Sequence, residues 1–141
     1  MADILFKEES CQIIGACFEV YKEKGCGFHE PIYQECLGIE FRRQNIAASP
    51  KPRIEIEYKG QRLEQHFKPD FVCFGKIIVE LKALAHLTDD HHAQVMNYLK
   101  ATDFRLGLLI NFGHHPRLEH HRIVASDKWK PCDEGSANLR S

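Results

Sequence analysis

Two acids and a lysine flank the paired apolar runs of the stretch PDFVCFGKIIVELK, residues 69–82. Asp70 opens the first run, and Glu80 and Lys82 close the second. In an extended chain Glu80 and Lys82 point to one face of the strand and Leu81 to the other. A carboxylate and an ammonium on a strand covered on both faces need a partner, because an unpaired buried charge is costly. A hard divalent cation bound by Asp70 and Glu80 would be that partner, and Lys82 would stand beside a metal-held water.

The same residues also have simpler interpretations. Glu80-x-Lys82 is the spacing of an ordinary solvated ion pair on one strand face. Glu30 opens a predicted helix in GFHEPIY, where an acid favours the helix dipole. Gln94 and Tyr98 lie four residues apart on another predicted helix, so they share a face, and they also suit a half-exposed surface pair. The occurrence of all these residues in this order is therefore stronger evidence for a functional site than any one of them alone.

Hydrophobic periodicity supplies the elements that position these groups. Helices are predicted over residues 8–24, 30–44 and 89–101, the last capped by Thr88, and strands over 53–58, 61–67, 71–74, 77–82, 105–112 and 122–125. Residues 45–52 are polar and contain prolines, so they are expected to be a break. Two helices, three or four antiparallel strands, a helix and one or two final strands make an α/β layered domain.

One domain is expected over residues 1–126, followed by a poorly ordered tail over 127–141 with a possible anchor at Trp129. No apolar run approaches the roughly 20 residues of a membrane span, and the N-terminus lacks the apolar core of a signal peptide. We therefore expect a cytoplasmic protein that does not enter membranes. The six cysteines form no Cys-x-x-Cys pair, which disfavours a zinc ribbon or an iron–sulfur cluster and favours reduced thiols.

The charge balance bears on possible partners. The net charge is −1 with neutral histidines, so the composition does not by itself indicate nucleic-acid binding. Positive charge for a polyanion would have to be local or carried by a bound metal. The nine histidines include three adjacent pairs, which point to opposite faces of a strand and chelate poorly. His66 and His91 are weaker candidates for approaching the metal.

The ordered motifs resemble the GxxExxY proteins, a branch of the PD-(D/E)XK nuclease superfamily. The resemblance covers residues 4–124 and rests on Gly27-x-x-Glu30-x-x-Tyr33, Asp70, Glu80-x-Lys82, Gln94-x-x-x-Tyr98 and the text GLLINFG at residues 107–113. The Gln-x-x-x-Tyr element is also similar to that of RecB-like nucleases. The resemblance implies a restriction-endonuclease-like core, with a helix, a three-stranded meander, a helix and a strand forming a mixed central sheet flanked by helices.

The resemblance also implies a metal site. Asp70 and Glu80 would bind the metal, with the Leu81 backbone carbonyl as a further ligand. Glu30 would bind a second metal or hold a metal-bound water. Oxygen donors of this kind suit Mg²⁺ or Mn²⁺ rather than zinc.

Catalytic roles follow from the same resemblance. Lys82 would orient or help to deprotonate the attacking water, and Gln94 and Tyr98 would position Lys82 or the scissile phosphate. The implied activity is metal-dependent hydrolysis of phosphodiester bonds in nucleic acid, with DNA favoured. The alternative is a nuclease-fold module that binds nucleic acid or a protein without turnover. A homodimer is a further expectation, since small nucleases often embrace a duplex as pairs.

Overall fold

Three helices and seven strands follow one another along residues 4–125, the part of the chain that the computed structural model describes. The helices are α1 (Lys7–Lys24), α2 (Glu30–Arg43) and α3 (Asp89–Lys100). The strands are β1 (Ala48–Pro50), β2 (Ile54–Tyr58), β3 (Gln61–Phe67), β4 (Phe71–Cys73), β5 (Ile77–Lys82), β6 (Leu106–Asn111) and β7 (Glu119–Val124). The tail predicted over residues 127–141, with Trp129, lies outside the described residues.

Five of the strands form a mixed sheet in the order β1-β4-β5-β6-β7. β5 and β6 are parallel and are joined through α3, because parallel neighbours need a crossover connection. The other neighbouring pairs in this sheet are antiparallel. The predicted fold class, a mixed central sheet flanked by helices, is confirmed.

The sheet separates two apolar cores, and this decides which way the site residues face. Val79 and Leu81 of β5 pack in the core that contains the buried residues of α1 and α2. Ile78 packs in the other core, with Val95 and Leu99 of α3. Because side chains alternate along a strand, Glu80 and Lys82 lie on the same face of β5 as Ile78, the face that α3 covers.

The predicted three-stranded antiparallel unit is present as β1, β4 and β5, but its strands are not consecutive, because β2 and β3 come between β1 and β4 in the chain. β2 and β3 pair with each other in a separate two-stranded sheet. Most of β3 is exposed, and only its end approaches the core through Phe67, which packs beside α3. Most of this hairpin is exposed to solvent. It therefore lacks the two apolar faces by which β5 is buried inside the central sheet.

The break expected over residues 45–52 is also wrong in part, because it contains β1. This strand has three residues and pairs with β4, Ala48 opposite Cys73 and Pro50 opposite Phe71. Proline is tolerated at the edge of a sheet, where its missing N–H leaves no ladder bond unmade. A strand this short and proline-bearing gives no alternating pattern in the sequence.

α1 packs against the sheet through one face of the helix. Ile13, Cys17 and Val20 are buried, whereas Cys11 and Phe18 are exposed. Within residues 4–125, no helix is long and apolar enough to cross a membrane. The cysteines of the same part of the chain carry free thiols, and Cys132 lies outside it.

Candidate metal centre

Asp70 and Glu80 lie side by side where β4 begins and β5 ends. Phe71 pairs with Val79, so the antiparallel register brings the preceding Asp70 beside the following Glu80. The Asp70 N–H donates to Glu80 Oε1 at 3.4 Å, and Asp70 Oδ2 accepts from the Leu81 N–H at 2.8 Å. Asp70 is 4% exposed and Glu80 6%, so both carboxylates lie inside the protein.

Burial and charge repulsion act together on Glu80. Burial, followed by the nearby Asp70 carboxylate, raises the pKa of Glu80 to about 8. Lys82 opposes this shift, with its Nζ 3.9 Å from Glu80 Oε2. Two adjacent buried carboxylates that repel each other are stabilised by a divalent cation, so this donor set fits Mg²⁺ or Mn²⁺.

Leu81 adds a backbone oxygen on the same side of the strand. The N–H and C=O groups of one strand residue point towards the same neighbour. Because the Leu81 N–H donates to Asp70, the Leu81 carbonyl is also directed towards the Asp70 side of β5. The Leu81 side chain is fully buried in the opposite core.

Glu30 approaches the carboxylate pair from α2, of which it is the first residue. Burial raises the pKa of Glu30, the Asp70 charge raises it further, and Lys82 lowers it. Within residues 4–125, no three His, Cys, Asp or Glu side chains are arranged to hold a metal ion together. Glu30 therefore lies within electrostatic range of the pair without completing a three-residue cage.

Tyr33 fixes the loop that presents Glu30. Its ring is fully buried and stacks on Phe112, with the ring centroids 4.6 Å apart. The Tyr33 hydroxyl donates to the Gly25 carbonyl at 2.5 Å and accepts from the Phe28 N–H at 3.2 Å. Gly25 ends α1 with a φ of 68°, a left-handed value that glycine adopts without a steric penalty. Tyr33, the last residue of the Gly-x-x-Glu-x-x-Tyr motif, thus connects the end of α1 to the loop that precedes α2.

Gln94 and Tyr98 share a face of α3, as their spacing predicts. Gln94 Nε2 donates to the Tyr98 hydroxyl at 3.2 Å, and the Tyr98 ring lies 4.6 Å from that of Phe67. Burial, followed by the charges of Glu80 and Asp70, raises the pKa of Tyr98 to about 12. Tyr98 is therefore a neutral hydroxyl within electrostatic range of both carboxylates.

The histidines considered as ligands have other contacts. His91 caps α3, because its Nδ1 accepts from the Thr88 N–H at 2.9 Å. This agrees with the predicted cap at Thr88 and explains His91 without a metal. His66 lies on β3, with its Nδ1 3.3 Å from the Glu64 carbonyl oxygen.

Lys51 is a site residue that the sequence did not reveal. Its N–H donates to the Asp70 carbonyl at 2.9 Å, and its Nζ lies 3.4 Å from Asp70 Oδ1. The lysine side chain is 56% exposed. The pairing of β1 with β4 brings Lys51 here, and no sequence pattern indicated that pairing.

Asn111 is a second residue whose role was missed. It is fully buried at the end of β6, and it both donates to and accepts from the Leu84 backbone at 2.9 Å. Its amide also donates to Glu119 Oε1 at 3.1 Å. These bonds hold the chain just beyond Lys82. A polar residue inside an otherwise apolar strand, GLLINFG, is the signal that could have identified it.

Comparison with known proteins agrees with this architecture. A sequence profile of the PD-(D/E)XK nuclease superfamily matches residues 7–123. The crystal structure of SSO0001 is similar in fold, with a TM-score of 0.53 and 18% sequence identity over 93% of this chain. The chain spans 60% of the length of that protein. No curated protein gives a significant match.

Proposed function

Because the chain belongs to the PD-(D/E)XK nuclease superfamily, we propose that it is a metal-dependent nuclease that hydrolyses phosphodiester bonds of DNA. The buried pair of Asp70 and Glu80, with the Lys82 ammonium 3.9 Å from Glu80, carries this proposal. The motif at Gly27, Glu30 and Tyr33 supports placement in the GxxExxY branch of the superfamily.

In this proposal Asp70, Glu80 and the Leu81 carbonyl would hold one Mg²⁺ or Mn²⁺. When bound, the ion polarises the phosphate and lowers the pKa of a coordinated water. Glu80 gives up its proton on loading, since its pKa lies near 8 in the metal-free protein. Glu30 accepts hydrogen bonds from water on the outer side of the site or contributes to a second metal.

Lys82 has the role of orienting the attacking water or helping to deprotonate it. The Lys82 ammonium, 3.9 Å from Glu80, would also offset the negative charge that develops on the phosphate. Tyr98 stays neutral at physiological pH and can donate a hydrogen bond to a phosphate oxygen or position Lys82. Gln94 fixes the Tyr98 hydroxyl in place.

A nuclease-fold module without turnover is the second candidate, and one observation favours it. Asp70 Oδ2 already accepts from the Leu81 N–H, and Asp70 Oδ1 already faces Lys51. Asp70 therefore has hydrogen-bond and charge partners without a metal. In this case the region around Asp70 and Glu80 would hold nucleic acid or a protein without cutting it.

The test is cleavage of labelled linear, single-stranded and branched DNA in Mg²⁺ or Mn²⁺. We expect wild type to cut at least one substrate, and Asp70→Asn and Lys82→Ala to lose about two orders of magnitude in rate or more. Lys22→Ala, which removes an exposed lysine of α1, is the matched control and should cut as wild type does. Equal rates for wild type and Lys82→Ala would reject the hydrolase.

A further inference from the structure

An open groove of ≈ 480 Å³ lies between α2 and the β1 edge of the sheet. The groove is lined from α2 by Pro31, Gln34, Glu35, Gly38 and Arg42, and from the sheet by Pro50 and the buried Phe71. The α2 residues recur at helical spacing, so they form one face of the helix. We call this feature the α2 groove.

The α2 groove adjoins the carboxylate pair. Gln34 lines the groove, and its Nε2 donates to the Asp70 carbonyl at 3.4 Å. Phe71 directly follows Asp70, and Pro50 directly precedes Lys51, whose Nζ is 3.4 Å from Asp70 Oδ1. Glu30 lies one helical turn before Gln34. A strand with a phosphate at Asp70 can therefore place a neighbouring group in the groove.

Gly38 gives independent support for an occupant. It lies inside α2, where glycine destabilises a helix relative to alanine. A Cβ at this position would meet Phe71 Cζ at 3.7 Å and an Arg42 Nη atom at 4.0 Å, both ordinary van der Waals distances. Packing thus does not require glycine here. The missing side chain leaves space in the groove next to the buried Phe71 ring.

We propose that the α2 groove holds one nucleobase of the strand whose phosphate lies at Asp70 and Glu80, an inference that rests on the proposed function. Pro31 and Pro50 are exposed and offer apolar surface to the faces of a base, whereas the Phe71 ring is buried beneath them. The Gln34 amide and the Arg42 guanidinium supply hydrogen-bond donors for acceptors on its edge. A nucleobase, which is flat and apolar with a polar edge, matches this combination.

The test compares a fluorescent 12-residue oligothymidylate with an abasic strand of the same length and charge, by fluorescence anisotropy in Ca²⁺. Gels confirm that both strands stay intact. We expect wild type to bind the base-bearing strand about tenfold more tightly, because the base buries apolar surface against the prolines. Gly38→Leu, which fills the groove, should lose most of this preference while its affinity for the abasic strand stays unchanged.

Three further variants keep the test decisive. Gly15→Leu changes an α1 glycine whose Cβ would meet nothing within 4 Å, and it should keep the preference. Gly38→Ala should keep both the fold and the preference. Arg42→Ala should weaken the preference without filling the groove, and it replaces Gly38→Leu if melting curves show that the leucine variant does not fold.

Equal binding of the two strands by wild type, or a full preference in folded Gly38→Leu and in Arg42→Ala, overturns the inference. Equal binding is also the outcome if the groove takes a protein side chain instead. Cleavage in Mg²⁺ is measured separately. Cleavage without a base preference rejects the groove assignment and leaves the nuclease, whereas a base preference without cleavage rejects the hydrolase and leaves the groove.

Discussion

The protonation state of Glu80 affects both the stability of the fold and the charge of the candidate site. Its carboxyl is buried beside Asp70, and Lys82 offsets only part of the cost of ionising it. Because burial and repulsion disfavour the charged form, the metal-free protein retains a proton on Glu80 well above the usual range. The same proton must leave before a cation binds.

The first prediction concerns pH. The folded-state pKa of Glu80 is raised from 4.5 to about 8, so its stabilising contribution is complete below pH 4.5 and is lost as the pH rises through 8. In EDTA, the free energy of unfolding should fall between pH 5 and 8 by at most about 1.4 kcal/mol per pH unit. Urea denaturation across this range measures it.

Two variants isolate this effect. Glu80→Gln should flatten the profile between pH 5 and 8, because glutamine does not titrate. Glu57→Gln removes an exposed acid of β2 and should follow the wild-type profile. A wild-type profile that matches Glu80→Gln would show that Glu80 ionises normally.

In the proposed site, Lys51 would compete with a cation for Asp70. Its ammonium is 3.4 Å from Asp70 Oδ1, but the side chain is mostly exposed, so the pair stabilises the fold by less than about 1 kcal/mol. Lys51→Met should leave the melting temperature nearly unchanged and raise the Mn²⁺ affinity about fivefold, as measured by calorimetric titration. Lys22→Met is the control. Weaker Mn²⁺ binding by Lys51→Met would contradict competition.

At the scale of elements, two glycines of β6 and the following turn set how closely its neighbours approach. A Cβ on Gly107 would lie 2.5 Å from Val95 Cγ1 of α3. A Cβ on Gly113 would lie 2.4 Å from the Leu84 backbone N, in the segment that Asn111 holds. The second contact is with backbone, which cannot rotate away. Close packing here fixes the chain that follows Lys82.

Gly113→Ala should therefore destabilise the protein by about 1–3 kcal/mol, because the added methyl group forces the Leu84 backbone to move. Gly15→Ala in α1 meets no atom within 4 Å and should stabilise it by about 0.5–1 kcal/mol. Thermal and urea denaturation measure both. A neutral Gly113→Ala would mean that residues 83–84 are not held against the turn.

The sequence predicts elements where periodicity or caps are strong. α2 begins at Glu30, α3 begins after Thr88, and β5 is covered on both faces, as the patterns indicate. It does not predict β1, a three-residue edge strand, or the separation of the β2–β3 hairpin from the central sheet. Both depend on long-range pairing, which local patterns do not encode. Lys51 was missed for the same reason.

At the scale of the whole molecule, the fold converges on one edge of the sheet. The register of β4 and β5 brings Asp70 to Glu80, α2 carries Glu30 and the α2 groove, and α3 carries Gln94 and Tyr98. With a net charge of −1, the chain has no general attraction for a polyanion. A bound divalent cation would supply positive charge at the point where a phosphate must approach.

The homodimer stays a prediction, which light scattering at several concentrations would decide.

The most direct measurement is anomalous diffraction from a crystal soaked in Mn²⁺. We predict a peak between Asp70 and Glu80, at about 2 Å from a carboxylate oxygen of each, with the Leu81 carbonyl on the same side. Crystals of Asp70→Asn should lose it. A well-diffracting wild-type crystal with no peak at this pair, or with Mn²⁺ bound only at histidines such as His92 and His121, would contradict a metal-dependent site at Asp70 and Glu80.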